Sequence, residues 1–182
     1  MNPEVTIAIE LFGGLRSELL PLFRQADDSS IQISSYLELG EVLVAWCEHQ
    51  LVGQVQLVRM AGVLNRPGEV VGASADWELK SLAVSEAWRA RGIGSALLCA
   101  ALDRAFDAGA DRVVVATATA DIDNLRFYQR HGLRMDRVER DVFTVECGYP
   151  SALECDGIPV RDRIWFSLRR DERERMRRAR RV

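Results

Sequence analysis

The sequence predicts one α/β domain, a mixed and mostly antiparallel sheet of about six to seven strands flanked by about four helices. Three observations carry this. Residues 41–47 and 50–59 are apolar-rich runs broken around Glu48 and His49, which is a hairpin pattern. Residues 77–84, 93–109 and 111–117 read as strand, helix and strand within about forty residues, the pattern of a right-handed crossover between parallel strands. Residues 134–147 and 159–168 add the last two strands. A length of 182 residues suits a single domain with a substantial core.

In order, Val5, Ile7, Ile9 and Leu11 alternate within residues 1–12, a first strand closed by the turn at Gly13 and Gly14. Leu15, Leu19, Leu20, Leu22 and Phe23 have helical spacing, with Pro21 expected to kink or split the helix. A second short helix over 31–39 ends at Gly40. After the hairpin, Gly62, Pro67, Gly68 and Gly72 mark residues 61–76 as a loop-rich connection, within which Val70 and Val71 can extend a flanking strand. Strand 77–84 alternates, with Glu78, Lys80, Leu82 and Val84 on one face and Trp77, Leu79, Ser81 and Ala83 on the other. Leu97, Leu98, Ala101, Leu102, Ala105 and Phe106 form a helical stripe ended by Gly109. Residues 111–117 are β-branched and apolar, as a buried parallel strand requires. Asp121 reads as the N-cap of a helix running to His131, with Gly132 just past its end. Gly148, Pro150 and Gly157 fall in the loop between the last two strands. The domain is assigned to residues 1–168, and the arginine-rich tail 169–182 reads as a frayed helix or a disordered segment.

Composition narrows the function. Hydrophobic residues at 48% and charged residues at 28% describe a soluble globular chain. With no signal-like N-terminus and no apolar run of about 18 residues, the expectation is a cytoplasmic protein without a membrane segment. Four cysteines show no CxxC pairing; Cys47 and Cys99 fit core thiols, and Cys147 with Cys155 leaves a metal or disulfide pair open. Two histidines, one in a turn and one at a helix end, offer little to a Ser-His-Asp or Cys-His arrangement or to a metal site. The tail holds eight arginines and three acids, so a tail of +5 on a chain of −3 leaves a body of −8. An acidic body attracts cationic substrates such as amines, although a solvated acidic surface explains it equally. The tail's interleaved Asp171, Glu172 and Glu174 suit an exposed helix with internal ion pairs better than a nucleic-acid contact.

The chemistry concentrates in residues 88–98, WRARGIGSALL, where a strand passes into a helix. A helix start leaves backbone N–H groups unpaired and carries the positive end of the macrodipole, which suits phosphate. Gly92 and Gly94 lack a Cβ and admit a ligand to the backbone, while Arg89 and Arg91 add fixed charge. Leu97 stands where a dinucleotide fingerprint needs its third glycine, and the chain's one lysine, Lys80, is not placed for a P-loop.

This run, with ELKSLAV at 78–84 and NLRFYQRHGL at 124–133, resembles the GCN5-related N-acetyltransferases of the bacterial single-domain type, a family that binds acetyl-CoA. The resemblance is close over 77–133 and extends in outline over 41–168. It implies a sheet splayed at the central crossover to hold acetyl-CoA, with no metal. It also implies roles. Arg89, Arg91, Gly92, Ile93, Gly94 and Ser95 would hold the pyrophosphate; the backbone of Leu82, Ala83 and Val84 would pair with the pantetheine arm; Asn124 and Phe127 would touch the carrier. Tyr128 would protonate the departing thiolate, and Glu78 would take the amine's proton, with Asp76 or a water chain as alternatives. The expected reaction is direct attack by a primary amine of a small molecule, a protein N-terminus or a lysine on acetyl-CoA. Relatives often pair through edge strands, so a homodimer stays open. The rivals are a CoA-binding sensor without catalysis and a partner-binding module acting through the tail. A placed proton donor at Tyr128 argues against the first, and the cradle would go unexplained by the second.

Overall fold

The computed structural model describes residues 6–60 and 75–179. The loop expected over 61–76, including Val70 and Val71, lies almost wholly outside the described residues, as does Val5 of the first strand. Seven strands make a mixed, mostly antiparallel sheet, as the sequence predicts. The chain resolves into two compact units, Met1–Val58 with Leu79–Arg104, and Arg59–Glu78 with Ala105–Val182.

In the first unit, β1 (Ile7–Leu11) runs antiparallel to β2 (Glu41–Cys47), with Ile7 opposite Cys47 and Leu11 opposite Leu43. Strand β2 turns into β3 (Gln50–Arg59) through Glu48 and His49, both left-handed at φ 47° and 69°. Two such residues match a type I′ turn, although Asn-Gly is its usual sequence. A 3₁₀ turn, Arg16–Leu19, precedes α1 (Leu20–Ala26), and Pro21 falls in the first turn of α1, where no backbone N–H is needed. The proline therefore splits the predicted helix. Next comes α2 (Ser30–Tyr36), capped by the Ser29 hydroxyl accepting from the Gln32 N–H at 3.2 Å. Leu19, Phe23, Ile33 and Tyr36 from this helical region bury one face of β2 at Val42 and Val44. The buried Gln56 on β3 closes the end of α2, donating to the carbonyls of Tyr36 at 2.8 Å and Leu39 at 2.7 Å.

Strand β4 (Asp76–Val84) alternates as expected, Trp77, Leu79, Ser81 and Ala83 being buried and the intervening residues half-buried. Its residues 79–84 belong to the first unit and 76–78 to the second. Helix α3 (Ile93–Asp107) buries Leu97, Leu98, Ala101 and Leu102 completely. In the second unit, β5 (Arg112–Ala118) is followed by α4 (Ile122–Arg130) and β6 (Arg134–Glu139).

The strand expected over 134–147 stops at Glu139. Asp141 is left-handed and its N–H donates to Asp162 Oδ1 at 2.9 Å, while the amides of Val142 and Phe143 turn onto the Arg161 carbonyl. The linking segment then forms a small hairpin, β7 (Glu154–Cys155) with β8 (Ile158–Pro159). The last long strand is β9 (Arg163–Arg169), starting four residues later than expected and pairing antiparallel with both β5 and β6.

The tail is ordered as α5 (Arg170–Ala179), a fifth helix beyond the four expected. Its solvent side carries the anticipated ion pairs, Arg175 with Asp171 at 2.9 Å and Arg178 with Glu174 at 3.5 Å. Its inner side is packed. Arg173 is only 8% exposed, Met176 lies against Gly132, and the Arg170 guanidinium donates to the carbonyls of Phe106 and Ala110 at the end of α3. No helix among the described residues is long and apolar enough to cross a membrane.

These contacts rank the tail's arginines. Arg170→Ala strips two carbonyls of a charged donor and should cost about 1–3 kcal/mol in urea unfolding, whereas Arg175→Ala, losing one exposed pair, should stay within about 0.5 kcal/mol.

Candidate functional site

The junction between β4 and α3 is built from backbone. After β4, a 3₁₀ turn, Glu86–Trp88, closes with the Trp88 N–H on the Ser85 carbonyl at 2.8 Å. Ala90 and Gly92 are left-handed at φ 59° and 80°, and Arg91 between them is not. This alternation of hand is how successive N–H groups form an anion-holding concavity. Helix α3 then begins at Ile93, whose side chain is 1% exposed, so only its backbone is offered to a ligand. A Cβ built on Gly92 meets nothing within 4 Å. The space over that residue is open.

The two arginines differ. Arg89 folds back, its Nε donating to the Val84 carbonyl at 3.2 Å and an Nη to Gln25 Oε1 at 3.3 Å. Arg91 lies 4.8 Å over the Trp88 ring, a stacking that holds an exposed guanidinium in place. Gly94 and Ser95 are half-buried in the first turn of α3. The left-handed Ala90 escaped sequence reasoning, because alanine gives no signal for positive φ.

The second group sits on α4. Asp121 caps the helix, its Oδ1 accepting from the Asn124 N–H at 2.8 Å. Its Oδ2 accepts from Asn124 Nδ2 at 2.6 Å, and the same Nδ2 donates to Thr117 Oγ1 at 3.3 Å. One turn on, Tyr128 is 5% exposed, packed on Phe166 at 5.6 Å between ring centres and edge-on to Phe127 at 5.3 Å. Phe127 is half-buried and leans on His131, 4.6 Å away between ring centres. Burial first, and the Asp121 charge second, hold the Tyr128 phenol's ionisation well above the ordinary range.

Of the carboxylates on β4, Asp76 is committed elsewhere. The Arg112 guanidinium holds its Oδ2 at 2.6 Å and 3.1 Å, and Arg112 also faces Asp136 at 3.7 Å. Glu78 is half-buried on the face of β4 that carries Lys80, Leu82 and Val84. Among the described residues no cluster of three or more His, Cys, Asp or Glu could hold a metal. All four cysteines are free, which removes the disulfide left open for Cys147 and Cys155. Burial, followed by the charges of Asp121, Asp156 and Asp123, keeps Cys155 a protonated thiol and a poor nucleophile.

Over residues 14–133 the chain matches the acetyltransferase (GNAT) family. It is 30% identical over 162 residues to YvbK, an uncharacterized N-acetyltransferase of Bacillus subtilis (strain 168), spanning 89% of this chain and 96% of that protein. A crystal structure of a Bacillus subtilis acetyltransferase in complex with CoA superposes with a TM-score of 0.76 at 29% identity, over 90% of this chain and 99% of that one. A GNAT family acetyltransferase from Elizabethkingia anophelis with acetyl-CoA bound gives 0.75 at 25% identity, over 90% and 97%.

The Asp76–Arg112 geometry makes Asp76 structural. Asp76→Ala leaves a largely buried guanidinium short of its partner and should lower stability by about 1–3 kcal/mol in urea unfolding; an unshifted midpoint would remove that role.

Proposed function

Because the chain belongs to the acetyltransferase (GNAT) family, we propose that its β4–α3 junction and its helix α4 are the working parts of an acetyl-CoA-dependent N-acetyltransferase. The observation that carries the assignment is the junction. Gly92 is left-handed and open at the start of a 15-residue helix, with the stacked Arg91 beside it. Backbone N–H groups there, with the helix dipole and two guanidiniums, suit a pyrophosphate. Arg89, Arg91, Gly92, Ile93, Gly94 and Ser95 bind it, the last three through their backbone N–H groups. The edge of β4 at Leu82, Ala83 and Val84 meets the pantetheine arm, and Asn124 and Phe127 touch the carrier. One N–H of β4 polarises the thioester carbonyl.

The amine nitrogen attacks the carbonyl carbon, giving a tetrahedral oxyanion. Its collapse breaks the C–S bond and releases amide and thiolate. Glu78, directly or through a water, takes the nitrogen's proton. Tyr128 serves the departing sulfur. A phenol held above about 10 is a weaker acid than a thiol near 8.5, so full transfer to a free thiolate is uphill by more than about 2 kcal/mol. The phenol therefore acts first as a hydrogen-bond donor to the developing charge. A CoA-binding sensor would have no need of such a donor. The acceptor is an amine, of a small molecule or of a protein. The four free thiols accord with action in a reducing cytoplasm.

Two measurements test the reading. Gly92→Val puts a β-branched side chain into the open space and should weaken acetyl-CoA binding at least about tenfold in calorimetry, with about 1–2 kcal/mol lost from stability through the left-handed backbone; unchanged affinity would refute the cradle. Tyr128→Phe should lower kcat about 10²-fold while the KM for acetyl-CoA holds within about threefold. Since burial and Asp121 both oppose the phenolate, Tyr128 stays protonated as pH rises, and its loss should not limit kcat below about pH 10. An alkaline limb below about pH 9 that vanishes in Tyr128→Phe would contradict this.

A further inference from the structure

We propose that Asp121 is a positioning residue for the reaction, acting through Asn124. It does so by holding the Asn124 side-chain amide by its NH₂ group, so that the side-chain oxygen is what remains to meet the carrier.

The geometry is a closed loop of hydrogen bonds. One carboxylate oxygen takes the Asn124 backbone N–H at 2.8 Å and the other takes Nδ2 at 2.6 Å, so a single side chain fixes both the turn of α4 and the rotamer hanging from it. Thr117 Oγ1, on the preceding strand, receives the same Nδ2 at 3.3 Å. Both acceptors stand on one side of the amide. A flipped amide would set its oxygen against a carboxylate oxygen, so the charge selects one orientation of two nearly isosteric ones. An N-cap needs only one acceptor oxygen, and serine, asparagine or aspartate supplies it about equally well. The second oxygen is surplus to capping. Its partner is the Asn124 amide. The same helix carries Tyr128 one turn further on, and the Asp121 charge also acts on that phenol to keep its proton on.

The inference rests on the reading of Asn124 as a carrier contact, and the experiment separates the two. Asp121→Asn retains a capping oxygen and replaces the other by an NH₂ group, which turns donor against donor at Nδ2 and releases the Asn124 rotamer. The KM for acetyl-CoA should rise about five- to twentyfold, with kcat within about threefold of wild type and the urea midpoint unmoved. Asn124→Ala should raise that KM comparably, and the KM of the double variant should be no worse than that of Asn124→Ala alone, because the effect of Asp121 on carrier binding runs through Asn124. Asp121→Ser, which caps through a hydroxyl and offers Nδ2 no second oxygen, should reproduce the rise and serves if Asp121→Asn folds poorly. The proposal is overturned if either Asp121 variant leaves the KM unchanged while Asn124→Ala raises it. It is also overturned if the double variant shows the product of the two single effects. If Asn124→Ala itself leaves the KM unchanged, the carrier-contact reading fails and takes the positioning role with it.

Discussion

The first turn of α3 leaves backbone N–H groups that the helix cannot pair with itself, and the surrounding chain is arranged so that they stay available. Ile93 pins the turn by its buried side chain, which keeps the helix start in place without covering it. The left-handed Gly92 makes the entry abrupt. Beneath, Gly53 on β3 lets the elements come close: a Cβ there would stand 2.9 Å from a Leu97 methyl and 3.0 Å from the Ala83 carbonyl oxygen. A side chain on β3 at that point would push away the helix or the end of β4. The proposed anion site thus depends on the packing at a glycine outside its own residues.

Helix α4 meets the opposite requirement. Its first turn is capped from within by Asp121, so this helix start has little donor capacity left for an outside anion. What it offers instead is side chains, held by aromatic packing on one side and by a charged hydrogen-bond loop on the other. Two helix starts in one chain therefore do different work. The difference lies in whether a capping carboxylate is present.

Much of this was legible in the sequence, because the signals concerned are local. Alternation in β4, the cap at Asp121, the left-handed Gly132 after α4 and the hairpin at Glu48 and His49 depend on residues a few positions apart, and each stands as expected. The failures come from contacts distant in the chain. Val138, Val142 and Phe143 continue a strand-like pattern past Glu139, but the Arg161 and Asp162 acceptors bend the chain away. The charge of α5 suggested a solvated tail, whereas Arg170 finds its acceptors 60 and 64 residues upstream. Asp76, the alternative base, has a partner that the local pattern does not mark, Arg112, 36 residues later. The site divides in the same way. The junction was read from its glycines, while the Ala90 conformation and the second oxygen of Asp121 carry no mark in the sequence.

The Tyr128 environment changes the chemistry expected from its residue type. An ordinary phenol would deliver a proton to the sulfur and recover it from water. A phenol whose anion is penalised by burial and by a neighbouring carboxylate holds its proton, and holding it is useful in a different way. In a poorly hydrated site a hydrogen bond to an anion is worth roughly twice a neutral one. In the role proposed for Tyr128, charge on the sulfur is then stabilised without the donor itself becoming charged. Deep burial, which makes Tyr128 a poor acid, keeps its proton in place for the donor role proposed here. In the proposed mechanism the last proton on the thiol is the one Glu78 took from the attacking nitrogen, passed on directly or through water.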